Sequence, residues 1–106
     1  MSRRAADADV FCAIADPTRR RMLDLLAEGE RAVRDLVAAF SISQPSVSSH
    51  LRVLRSAGLV RTRRQGRLRL YSLDAARLRE IAAWTLAFSR FWEKRLDTLG
   101  EYLNRK

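Results

Sequence analysis

Val33-Arg34-Asp35-Leu36-Val37-Ala38-Ala39-Phe40, then Ser41-Ile42-Ser43, then Gln44-Pro45-Ser46-Val47-Ser48-Ser49-His50-Leu51-Arg52-Val53-Leu54-Arg55-Ser56-Ala57 is the run that decides the fold. Val33, Leu36, Val37 and Phe40 recur at spacings of three and four, which gives a helix over 33–40 with one buried face. Val47, Leu51 and Leu54 repeat the pattern over 44–57. Ser43 stands where its hydroxyl can cap the second helix, and Gly58 stops it. Two helices joined by a three-residue turn make a helix-turn-helix.

The face of the second helix opposite its apolar stripe carries Pro45, Ser49, Arg52 and Ser56, with Ser46 and Ser48 beside it and Gln44 at its N-terminal end. Serine is a poor interior helix former, so four serines within seven residues (Ser43, Ser46, Ser48, Ser49) need a reason other than helix stability. Short hydroxyls let a helix approach a duplex closely and bond phosphates or base edges. Gln44 suits a paired contact with adenine, and Arg52 a contact with guanine or phosphate. No acid occurs from Gln44 to Leu73 to repel phosphate. The competing reading is a solvated serine face in a protein-interaction module.

The period then changes. Leu59 to Arg64 and Arg67 to Ser72 read as two short strands joined by Gln65-Gly66, with glycine supplying a positive φ. This hairpin makes the motif winged. It bears Arg61, Arg63, Arg64, Arg67 and Arg69, whose mutual repulsion a phosphate backbone or minor groove relieves. An edge hairpin kept soluble by charge is the alternative. His50 borders the apolar stripe, where packing and hydrogen bonding are at least as good an account as a phosphate contact.

Working outward, residues 4–15 form a first helix with Val10, Phe11 and Ile14 apolar. Asp16-Pro17 is an N-cap followed by a residue suited to the first helical turn, so a second helix runs from Pro17 to about Ala27. Downstream, Asp74 caps one long helix over 74–103. Its seam is Ile81, Thr85, Phe88, Trp92, Leu96, Leu99 and Leu103, widened by Trp84 and Phe91. That face is too apolar for a small monomer to leave in water, so it is expected to pair with a second copy, helped by Val10, Phe11 and Ile14. The aromatic residues lining a ligand pocket is the alternative. Cys12 permits an intersubunit disulfide, but a buried, inert thiol is the plainer expectation.

The chain's 106 residues suit one domain. Lys and Arg number 21 against 12 Asp and Glu, a formal charge of +9. Such a field attracts polyanions: nucleic acid first, an anionic membrane surface second. No segment resembles a signal peptide or a bilayer span, and one cysteine suits a reducing compartment, so a cytoplasmic location is expected. No nucleophile–base pair, phosphate loop or carboxylate pair suggests an enzyme. A lone histidine and a lone cysteine make no metal site, and no cofactor is expected.

Ala13-Ile14-Ala15-Asp16-Pro17-Thr18-Arg19-Arg20-Arg21-Met22-Leu23, the stretch Ser43 to Leu54, Ala57-Gly58-Leu59-Val60, and Gly66-Arg67 leading to Tyr71-Ser72-Leu73 closely resemble the arsenic-repressor (ArsR) family of bacterial winged-helix regulators. The resemblance covers almost the whole chain. It implies a mainly α fold with a small β-hairpin, a winged helix-turn-helix dimeric through its first and last helices. It implies DNA reading by about 33–73, with 4–15 and 74–103 pairing subunits. It further implies an inverted-repeat operator and repression released by an effector, whose identity the resemblance does not supply. Ala32 and Arg34 stand where the family's metal-binding cysteines fall, and the last helix has no His, so the resemblance is to the metal-independent branch. A sequence-indifferent DNA binder is the remaining alternative.

Overall fold

The computed structural model describes residues 10–104. Of the expected first helix, residues 4–9 lie outside this range; the described part is α1, Val10–Ile14. Helix α2 is Pro17–Glu28. The Asp16 carboxylate accepts from the Arg19 N–H at 3.0 Å, with Pro17 in the first turn, as its sequence predicts. Strand β1, Arg31–Ala32, leads into α3, Val33–Ala39, and after a short turn comes α4, Gln44–Ser56.

Both ends of α4 are fixed by local chemistry. At the start, Ser43 Oγ accepts from the Ser46 N–H at 3.2 Å. At the end, Gly58 adopts φ 78°. Its N–H donates to the Arg55 carbonyl at 3.0 Å and the Leu59 N–H to the Leu54 carbonyl at 3.0 Å. This paired termination brings Leu54 and Leu59, both fully buried, together and aims the chain into the hairpin.

Strands β2 (Val60–Gln65) and β3 (Leu68–Leu73) pair antiparallel, with Gln65 opposite Leu68. The turn is therefore Gly66-Arg67, one residue later than Gln65-Gly66. Gly66, at φ 64°, takes the first turn position, where a two-residue hairpin needs a positive φ even when the second residue has a negative one. Strand β1 was not expected. It pairs with the other edge of β3, Ala32 opposite Leu70, giving the sheet order β1-β3-β2.

The core joins α1, α2, α3, α4 and the base of the hairpin through Val10, Met22, Leu36, Val47, Leu51, Leu54 and Leu59, all essentially inaccessible to solvent. Two expectations fail here. Val10, expected to meet a partner subunit, is fully enclosed in its own chain and has no surface left to offer. Cys12, expected to be buried, is exposed.

The single long last helix is also corrected. A 3-10 turn at Ala76–Leu78 precedes α5, Arg79–Leu86, and α6 spans Ser89–Leu103. The Asp74 carboxylate still serves the start of this region, accepting from the Ala76 N–H at 3.2 Å. Between α5 and α6 the bonds tighten to the i−3 carbonyl: Ala87 N–H to Trp84 at 3.2 Å, and Phe88 N–H to Thr85 at 2.9 Å. Phe88, at φ −105° and ψ 10°, leaves the helical region.

Candidate nucleic-acid interface

The caps that fix α4 also decide what it presents. With Val47, Leu51 and Leu54 turned inward, Gln44, Pro45, Ser49, Arg52 and Ser56 are exposed, and Ser46 and Ser48 are half-buried. The Ser43 hydroxyl is exposed but engaged: besides accepting from Ser46 N–H, it donates to Ser46 Oγ at 3.1 Å. Ser43 and Ser46 thus shape the helix end, while Gln44, Ser49 and Arg52 keep outward-facing side chains.

Between α3, α4 and the hairpin lies a cleft of about 650 Å³, lined by Gln44, Ser48 and Arg52 from one side and Arg67 and Arg69 from the other. Gln44, Ser48, Arg52 and Arg55 recur at spacings of four, four and three, which keeps them along one flank of a helix. Arg34 of α3 completes the lining, so among the described residues five arginines and no acid surround the opening. Arg34 and Arg55 were not picked out from the sequence. The signal was present: Arg55 continues the Gln44–Ser48–Arg52 flank. Arg34 needed the packing of α3 against α4 to be placed.

The wing arginines divide into two groups. Arg63 forks onto Glu30, its Nε and Nη2 each donating to a carboxylate oxygen at 2.8 Å. Arg61 Nε donates to Asp74 at 2.9 Å. These hydrogen bonds hold the Glu30 and Asp74 carboxyls below the usual carboxylate range, and Glu30 in turn raises Arg63. Both pairs are exposed, so each contributes little to stability. Their effect is geometric: they tie β2 to the connection between α2 and β1 and to the segment after β3. Arg64, Arg67 and Arg69 have no ion pair among the described residues. Arg64 and Arg69 face one another directly across the strands. Like charges so placed repel, and an approaching polyanion removes that penalty.

His50 is half-buried and engaged with Arg19: its Nδ1 lies 3.2 Å from the guanidinium. The packing role expected of it is joined by a hydrogen bond across helices. Among the described residues, no group of three or more His, Cys, Asp or Glu is placed to hold a metal ion, and no helix is long and apolar enough to cross a membrane.

A second surface stands apart from the cleft. No residue of α5 or α6 is buried. Trp84, Phe88, Phe91, Trp92, Leu96, Leu99 and Leu103 are all exposed, as is Phe11. Ile14 and Ile81 instead pack half-buried against their own core. Phe11, Trp84 and Phe88 form an edge-to-face series with ring centroids 5.7 and 5.2 Å apart. The aromatic rings of the alternative reading thus lie on an outer face.

Residues 16–62 match the family described as bacterial regulatory protein, arsR family. The chain is 42% identical over 80 residues to the transcriptional repressor SdpR of Bacillus subtilis, which spans 76% of this chain and 89% of that protein. It is 43% identical over 92 residues to an HTH-type transcriptional regulator of Mycobacterium tuberculosis, covering 87% of this chain and 83% of the relative. A crystal structure of an ArsR family transcriptional regulator matches with a TM-score of 0.70 at 35% identity, over 78% of this chain and 91% of that one.

Proposed function

Because the chain belongs to the arsR family of bacterial DNA-binding transcriptional regulators, and is not an enzyme, we propose that it acts as a homodimeric repressor reading an inverted repeat without a metal cofactor. The observation that carries this reading is the acid-free arginine cleft formed jointly by α4 and the wing, with Gln44 and Arg52 exposed at its edge. In this reading α4 enters the major groove. Gln44, Ser48, Ser49 and Arg52 meet base edges, with Pro45, Ser43 and Ser46 holding the helix end close to the backbone. Arg64, Arg67 and Arg69 engage phosphate beside it, joined by Arg34 and Arg55. Arg61 and Arg63 brace the wing rather than touch the duplex.

Residues 33–73 are the reading part and the terminal helices the pairing part. A second copy is the occupant assigned to the aromatic and leucine surface of α5 and α6, because burying so many large apolar side chains lowers the free energy of association. Pairing by a two-fold axis presents two α4 helices to one duplex, which is what an inverted repeat requires. Metal independence is supported by Ala32 and Arg34 at the positions where metal-sensing relatives are expected to carry cysteines.

Selection of bound duplexes from a random pool tests the reading. The expected product is an inverted repeat with half-site centres about 34 Å apart. A pool enriched in no sequence, or binding unchanged by salt, overturns it.

A further inference from the structure

The Arg19 side chain hydrogen-bonds both to α1, the helix beneath the aromatic surface, and to α4, the reading helix. Its Nε donates to the Ala13 carbonyl at 2.6 Å and its Nη2 to the Cys12 carbonyl at 3.1 Å, at the C-terminal end of α1. Its Nη1 lies 3.2 Å from His50 Nδ1, near the middle of α4. Arginine has only donors, so the imidazole nitrogen accepts. The N-terminal turn of α2 holds Arg19 in place, with its backbone N–H on Asp16. On its other side, α1 carries Phe11 edge-on to Trp84 of α5, and α1 packs against α2, α4 and α5.

We propose that Arg19 and His50 are positioning residues that fix the angle of each reading helix relative to the subunit-pairing surface. They thereby select the spacing between the two half-sites of the operator. The planar guanidinium suits this task because it engages three acceptors in one rigid plane, which a lysine ammonium on the same stem does not reproduce. Neither residue needs to touch DNA. The inference rests on the dimeric reading above.

Two duplexes separate its outcomes: one with a single half-site and one with the full repeat, the latter with its spacer varied by one base pair. Arg19→Lys and His50→Phe are expected to bind the single half-site within about twofold of the unsubstituted protein. On the full repeat they lose about tenfold or more, and they lose the preference for one spacer, because simultaneous engagement depends on geometry. His50→Asn, which keeps an acceptor close to the Nδ1 position, is expected to restore both affinity and spacer preference. Equal losses on the two duplexes, or a His50→Phe protein that keeps its spacer preference, overturn the inference while leaving the dimer intact. Sedimentation of the unsubstituted protein as a monomer overturns the dimeric reading, and this inference with it.

Discussion

The α4–wing region and the α5–α6 region treat apolar side chains in opposite ways. In the first, Val47, Leu51, Leu54 and Leu59 are completely enclosed and the outer face is serine, glutamine and arginine. In the second, no residue is buried, and two tryptophans, two phenylalanines and several leucines face outward. The first region is finished within one chain and needs only a polyanion to relieve its charge. The second leaves a wide apolar face open to solvent. In the proposed reading the contrast separates two partners, with DNA on one surface and a second subunit on the other.

The sharpest way to break this contrast is Leu96→Glu. Each buried leucine contributes about 1.5–3 kcal/mol, and two-fold symmetry counts the loss twice, so dimer affinity should fall by about a hundredfold or more. A dimeric mass in sedimentation at the same concentration would assign that surface elsewhere. Gln44→Ala and Arg52→Ala come next. Each should remove about 1–3 kcal/mol of discrimination between the selected repeat and random duplex, while the dimer persists.

A smaller effect divides the wing. Arg67→Ala or Arg69→Ala should weaken binding to all sequences and reduce the salt slope by about 1 each. Arg63→Ala should change that slope less, because its guanidinium is held by Glu30. Equal slopes for all three would dissolve the distinction between bracing and binding arginines. The smallest effect concerns pH. Asp16, Glu30 and Asp74 all titrate below the usual carboxylate range: the first through the Arg19 backbone N–H, the others through Arg63 and Arg61. Depressed folded-state values give stability that is present above about pH 4 and is lost as pH falls through those lowered values. Thermal unfolding of a Glu30→Gln/Asp74→Asn protein should accordingly depend less on pH in that acid window.

Features fixed by neighbours in the chain were legible in the sequence. The Asp16 and Ser43 caps, Pro17 in the first turn, the Gly58 stop and the inward stripe of α4 each depend on residues within one or two turns. Features that depend on distant partners were not. Strand β1 is two residues long and exists because β3 leaves an edge open. Arg63 meets an acid 33 residues away, and Arg61 one 13 residues away, so both looked like the other wing arginines. The break between α5 and α6 falls in Thr85-Leu86-Ala87-Phe88, which has neither Gly nor Pro to mark it. One contribution to it is local, the Thr85 hydroxyl donating to the Ala82 carbonyl at 2.9 Å. The enclosure of Val10 followed from how α1 seats among its neighbours, which its apolar character alone did not settle.

In the proposed dimer, two α4 helices enter successive major grooves on one face of the duplex. Methylation interference on the selected repeat measures this directly. Two symmetric patches of blocked major-groove positions are expected, centred about 10 base pairs apart, fading together when Leu96→Glu dissociates the dimer. A single patch, or patches confined to the minor groove, would contradict it.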